Sequence, residues 1–284
     1  MEGQALASIV IILITIAFSY KGFNEQSFED KYVLDVFKVI NYKEYYRIFS
    51  SALLHGDYGH LIFNMFSFYC FASLIEMSFG VIVTLSIYLF SIFGGSMLAL
   101  YIHRKHEYLA YGASGGVSGI IFASIFLFPD MSLSPLLFPI PIPAWFFAIL
   151  YTGISIYGIV KGNIRNIGHD AHLGGALCGL LITGLMYPQA IMANIWLFIA
   201  IVATTSLFLY YLIINPLFLN PKHVFSFLNK EKLQETIVFK KKETYDDKEE
   251  MDRLLAKVSE KGFGNLSKKE KAHLVDISKR LNKK

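Results

Sequence analysis

Apolar runs dominate the first 214 residues and dictate what this chain can become. Seven of them, at residues 5–20, 60–75, 81–102, 114–128, 144–160, 171–187 and 191–214, alternate with polar segments. Hydrocarbon offers no water to a free N–H or C=O, so such a run must close its own hydrogen bonds as a helix. About 20 apolar residues cross a bilayer, and 191–214 meets that length with essentially no charge. The expectation is an all-α, multi-pass membrane protein. With 54% hydrophobic and 17% charged residues, the chain is too apolar for an ordinary soluble domain.

The first run has neither a basic start nor a clear cleavage site, so it reads as a spanning helix and not as a removed signal peptide. The loop 21–59 is long, and loops of that length have a function or structure of their own. It holds Tyr45-Tyr46-Arg47-Ile48-Phe49, an aromatic patch suited to a membrane interface. Prolines in 129–143 argue against a helix there. From Pro216 onward the chain turns rich in Lys and Glu, which marks a small soluble tail. Met251, Leu254, Leu255 and Val258 share one face of a helix at 247–260. Ser267 and Glu270 have capping-box spacing ahead of a second helix with Leu274, Ile277 and Leu281 on one face. Gly262 and Gly264 turn between the two, so the tail reads as a helical hairpin. The net charge of +4 comes mostly from this tail. Next to a membrane, such charge sets topology or touches lipid headgroups, so the bilayer and not nucleic acid is the expected partner. The two cysteines, Cys70 and Cys178, lie inside apolar runs and imply no disulfide framework or cysteine metal motif.

Glycines cluster in the third, fourth and sixth runs. Gly115 with Gly119, and Gly175 with Gly179, have the four-residue spacing that lets membrane helices pack closely. Ser114, beside the first pair, is open to two readings: one more small packing residue, or a nucleophile with room around it. His172 begins the sixth run as Ser114 begins the fourth. If the two helices pack through their glycines, both side chains reach the same depth. A hydroxyl beside an imidazole is the minimal activated nucleophile. His60 and Asn64, four residues apart, share a helix face about 6 Å apart. Both donate hydrogen bonds, as an oxyanion hole requires, and the Ser114 amide at a helix start is a further donor. A rival reading makes His55, His60, His169 and His172 metal ligands. It finds no carboxylate on the same face and leaves the glycine-flanked serine unexplained.

Three motifs stand in order on the second, fourth and sixth spans: His55-x4-His60-x3-Asn64, Gly112-Ala113-Ser114-Gly115 and Ala171-His172-x2-Gly175-x3-Gly179. Together they resemble the rhomboid family of intramembrane serine proteases, over about residues 46–187, and Arg47 and Glu76 also fit that pattern. The resemblance implies a rhomboid-like bundle of six transmembrane helices plus a seventh C-terminal span, with the small soluble helical tail beyond it. It marks 46–187 as a protease core; with the apolar runs and the charged tail, the chain divides into a first span and loop start (1–45), that core, the seventh span (188–215) and the tail (216–284). The resemblance implies a Ser–His dyad without an acidic third member. Ser114 is then the nucleophile, and His172 the general base and later acid. His60, Asn64 and the Ser114 amide hold the oxyanion, while His55, Gly112, Gly115, Gly175 and Gly179 support the site. No cofactor and no metal are expected. Substrates are the transmembrane segments of other proteins, and the expected location is a bacterial inner membrane.

The chain departs from the family pattern in two places. Gly116-Val117-Ser118-Gly119 repeats the Gly-x-Ser-Gly theme, making Ser118 a rival nucleophile one turn deeper. Many family members carry an aromatic residue four positions after the nucleophile; Ser118 stands there, so no ring from that position supports His172. Asp170 neighbours the base in sequence but points elsewhere on a helix, so it is not recruited as an orienter. Expected gates for substrate and water are the first loop, the fifth span and the loop 161–170. With seven spans, the odd-numbered loops and the tail share one side and carry nearly all the Lys and Arg. The positive-inside rule reads that side as cytoplasmic, whereas bacterial members of the resembled family open their site away from the cytoplasm. Two other functions compete: a catalytically inactive relative that binds or escorts helices, and a solute transporter, which needs an internal repeat that the chain lacks.

Overall fold

The computed structural model describes residues 5–104, 108–134, 140–160, 168–214, 250–259, 264 and 266–281. The chain divides into two compact units, residues 1–219 and 220–284.

The first unit is helical, and each apolar run forms a helix. These are α1 (Leu6–Asn24), α5 (Tyr58–Phe79), α6 (Val81–His103), α7 (Ser114–Leu127), α8 (Ala144–Val160), α9 (His169–Met186) and α11 (Ile195–Ile214). Among the described residues, α1, α5, α6 and the stretch Ile195–Leu212 are long and apolar enough to cross a membrane, and α7 and α8 are shorter apolar helices. The chain is an all-α membrane protein. One expectation needs correcting. The run 191–214 is not one helix: α10 (Pro188–Ala193) ends at Asn194, whose φ of -132° and ψ of 44° are not helical, before α11 begins. The sixth helix also starts two residues earlier than expected, at His169.

The loop between α1 and α5 has structure of its own. It forms α2 (Gln26–Tyr32), β1 (Leu34–Asp35), α3 (Val36–Tyr42), α4 (Arg47–Ser50) and a 3-10 turn. Arg47, only 3% exposed, holds it together. Its guanidinium donates to the Glu44 carboxylate at 2.6 Å and to the carbonyls of Asp30 and Val33 at 2.9 Å. A charge-assisted donor that satisfies several acceptors offsets the cost of burying it. β1 pairs antiparallel with β2 (Leu109–Ala110), Leu34 opposite Ala110. That pairing ties the first loop to the segment leading into α7. In the connector 129–143, β3 (Ser132–Leu133) pairs with β4 (Ile142–Pro143), and no helix forms among its described residues.

Glu76, near the end of α5, caps the start of α1. Its carboxylate accepts the amides of Ala7 at 2.8 Å and Ser8 at 2.7 Å, and the Ser8 hydroxyl at 2.5 Å. The first amides of a helix have no partner within it and favour a negative charge, so this contact answers both needs. α5 itself starts on Asp57, whose carboxylate accepts the His60 amide at 2.7 Å.

α7 is the innermost helix, buried from Gly115 to Phe126. At 14 residues it is about 21 Å long, short of the roughly 30 Å of a hydrocarbon core. α6 and α9 both pack against it and meet each other through small residues. A β-carbon on Gly95 would lie 2.5 Å from the Ala171 oxygen, and one on Gly174 2.7 Å from the Gly94 oxygen. α8 turns its own small stripe inward, with Ala144, Ala148, Thr152, Ser155 and Gly158 buried.

In the second unit, a helix at 250–259 (α12) and another at Lys268–Leu281 (α13) bury Leu254, Leu266 and Ile277. The capping box forms in both directions: Glu270 N–H donates to Ser267 Oγ at 3.2 Å, and Ser267 N–H to the Glu270 carboxylate at 2.8 Å. Leu255, expected on the inner face, is 45% exposed, because it lies about 100° round the helix from Leu254. The expected turn at Gly262 and the first residues of 247–260 lie outside the described residues.

Candidate active site

The segment entering α7 is held from behind. The Gly112 amide donates to the Ser51 oxygen at 3.0 Å, and the Ala113 amide to His55 Nε2 at 3.4 Å. His55 Nδ1 lies 3.0 Å from Ser19 Oγ, and the Ser19 hydroxyl donates to the Leu53 oxygen at 2.9 Å. These bonds agree with one tautomer only: Nε2 accepts, so Nδ1 carries the proton and donates to Ser19. Burial, with His60 close by, pushes His55 down to about 3, so it stays neutral. Gly112 has φ +127°, a conformation that strains any residue with a β-carbon. Space is also closed there, since a β-carbon would lie 2.8 Å from His60 Cε1 and 3.7 Å from Ser114 Oγ. The His60 ring and the Ser114 hydroxyl therefore face one small space.

α7 and α9 meet along their glycines. A β-carbon on Gly175 would overlap the Gly115 oxygen, and one on Gly179 would lie 2.5 Å from Gly119 Cα. From the other side, a β-carbon on Gly115 would lie 3.2 Å from the Ala171 oxygen and one on Gly119 2.8 Å from the Gly175 oxygen. Each step along α7 matches a step in the same direction along α9, so the helices run parallel and their first turns lie level. Ser114 and His172 thus come to the same end of the seam, and both are half-buried. They are not hydrogen-bonded to each other in this structure. Ser118 is different: it is 2% exposed, and its hydroxyl lies 2.7 Å from the Ser114 oxygen and 2.5 Å from Tyr151 Oη.

His60 and Asn64 share one face of α5, as their spacing predicts. His60 is half-buried, its ring 4.9 Å from that of His55. Asn64 is 4% exposed, and its amide donates to the His60 oxygen at 3.0 Å. An amide nitrogen carries two N–H groups, so this bond uses one of them.

Around His172 the sequence reading missed the most. Tyr151, from the middle of α8, places its ring 6.2 Å from the imidazole at an interplanar angle of 31°. The His169 ring approaches to 5.9 Å, in a space that Gly158 leaves open. Nothing in an apolar run announces such a tyrosine; the lone hint was the serine at position 118. Asp170 turns away from His172, as expected. It is fully buried and lies 2.7 Å from His103 Nε2 on α6. The Tyr108 hydroxyl, 3.5 Å from the other carboxylate oxygen, belongs to a ring stacked on His103. Of the expected gates, residues 161–167 lie outside the described residues.

A family model described as the rhomboid domain matches residues 42–189. The chain belongs to the rhomboid family. A second model, described as a family of unknown function, matches residues 241–280 in the tail. Among curated proteins, this rhomboid chain is 33% identical over 196 residues to RHOMBOID-like protein 12, mitochondrial, of Arabidopsis thaliana, covering 62% of the chain and 56% of the relative. It is 28% identical over 140 residues to Rhomboid protein 1, mitochondrial, of Saccharomyces cerevisiae (47% of the chain, 40% of the relative). It is 27% identical over 181 residues to Rhomboid protease GlpG of Haemophilus influenzae (61% of the chain, 88% of the relative). The chain thus spans about half the length of the mitochondrial relatives. Those relatives are eukaryotic and bacterial alike, so they do not single out a bacterial inner membrane. The family includes proteases, and this chain is an integral membrane member of it.

Proposed function

We propose that this chain is an intramembrane serine endopeptidase that cuts transmembrane segments of other proteins. The observation that carries the reading is the parallel glycine seam of α7 and α9, which brings two half-buried groups, Ser114 and His172, to one level. In this reading Ser114 Oγ attacks the scissile carbonyl carbon while His172 takes its proton. His172 then returns the proton to the leaving amine, and water, deprotonated by the same ring, releases the acyl group. The negative charge on the carbonyl oxygen is met by the Ser114 amide, His60 and Asn64. No acid assists the base, because the nearest carboxylate, Asp170, is engaged by His103. The substrate helix must unwind locally to offer a peptide bond, so segments with helix-breaking residues are favoured.

In this reading residues 46–187 form the protease core, 1–45 bring the first span, 188–215 the last and 216–284 the tail. The proposed location is a bacterial inner membrane. Membrane residence rests on the long apolar helices; the bacterial inner membrane is proposed on the resemblance alone.

The second reading is an inactive relative that binds or escorts transmembrane helices. It draws on the missing Ser114–His172 hydrogen bond, although such bonds often tighten only when substrate arrives. The two readings part in one experiment. Purified protein in detergent is incubated with a model transmembrane substrate, and Ser114→Ala is run beside it. Cleavage that vanishes in the variant supports the protease; no cleavage by either, with the substrate still captured, supports the binder.

A further inference from the structure

We infer that Tyr151 is the positioning residue for His172, joined to the nucleophile's own backbone through Ser118. The inference rests on the Ser114–His172 reading above.

Among the described residues, no hydrogen bond from a side chain fixes the His172 imidazole, and its neighbour Asp170 is turned to His103. Its orientation therefore depends on packing. A general base must aim one ring nitrogen at the hydroxyl, and a free imidazole turns about two bonds. The Tyr151 ring, 6.2 Å away and tilted by 31°, lies in the range where aromatic rings attract.

Tyr151 is itself held on three sides. Phe122 meets it edge-on at 5.5 Å, and Phe147 lies at 5.8 Å. Its hydroxyl contacts Ser118 Oγ at 2.5 Å. The direction of that bond follows from what Ser118 does next. Ser118 donates its one proton to the Ser114 oxygen, so the proton between Ser118 and Tyr151 comes from the tyrosine. The chain runs Tyr151 O–H to Ser118 O–H to Ser114 C=O. One side chain of α8 thus faces the base with its ring and reaches the residue of the nucleophile with its hydroxyl. Any movement of α8 away from α7 and α9 would remove both contacts together.

The test uses full-length protein in detergent and single-turnover cleavage of a model transmembrane substrate over a range of enzyme concentrations. Ser114→Ala comes first: if it cleaves like wild type, the nucleophile reading fails on its own, whatever Tyr151 does. Given its loss of activity, Tyr151→Leu should lower the maximal rate by about a hundredfold, the scale of a misplaced catalytic group, with half-saturation nearly unchanged. Tyr151→Phe keeps the ring and should recover most of that rate. Ser118→Ala should match Tyr151→Phe, since in both the ring stays and its bond to residue 118 goes. Tyr151→Met fills the space without a ring and repeats the test should the leucine variant not fold. The inference is overturned if the ringless variants keep the wild-type rate. It also fails if they change half-saturation alone, which makes Tyr151 a substrate contact, or if Tyr151→Phe is as slow as Tyr151→Leu.

Discussion

A β-carbon on Gly175 would overlap the carbonyl oxygen of Gly115 and come within 2.6 Å of its carbonyl carbon. The neighbour is backbone, so no side chain can swing aside to make room. Gly175→Val should therefore push α9 away from α7, although it changes neither Ser114 nor His172. Overpacking a close contact costs about 1–3 kcal/mol, which should lower the melting temperature in detergent by several degrees. Cleavage should fall far more, because the level of the two side chains depends on this seam. A valine variant with wild-type cleavage would show that the seam does not align the pair.

Ser114 and Ser118 differ in exposure, and this separates them by experiment. Ser114→Ala should abolish cleavage and labelling by a fluorophosphonate probe, whereas Ser118→Ala should retain measurable activity. Labelling at Ser114 should also vanish in His172→Ala. A chelator should leave the rate unchanged; inhibition that zinc reverses would replace the serine mechanism with a metal one.

His60 and Asn64 are proposed to hold charge and to transfer no proton. Loss of one preorganised donor costs on the order of 3 kcal/mol, or about a hundredfold in rate. Asn64→Ala should thus be slow and not dead, with substrate binding little changed because charge develops only at the transition state. Single-turnover cleavage against Ser114→Ala measures this. Wild-type rates in both His60→Ala and Asn64→Ala, with folding verified by thermal melting, would assign α5 to packing alone.

Every proposed site residue lies upstream of the tail. A chain truncated after Asn220 should insert and should cleave a model substrate in detergent at close to the full-length rate. Normal insertion with lost cleavage would make the tail part of the catalytic machinery.

Much of this protein was legible before any coordinates. Apolar runs are read within one segment, and an apolar segment in hydrocarbon has no option but a helix; all seven runs are helical, the last in two pieces. Glycine spacing is local as well, and it announced the α7–α9 seam. The break at Asn194 was hidden because hydropathy does not register a change of backbone angle inside an apolar stretch. Partners across helices were hidden for a different reason. They depend on how each helix is rotated about its axis and where it sits along its neighbour, and neither quantity is written in any one segment. So Glu76 capping α1, Ser19 fixing the tautomer of His55, and His103 claiming Asp170 were decided only by the tertiary structure. Tyr151 is the sharpest case. Measured against the family pattern, position 118 lacks a ring, and only the docking of α8 brings one from another helix to 6.2 Å from the His172 imidazole.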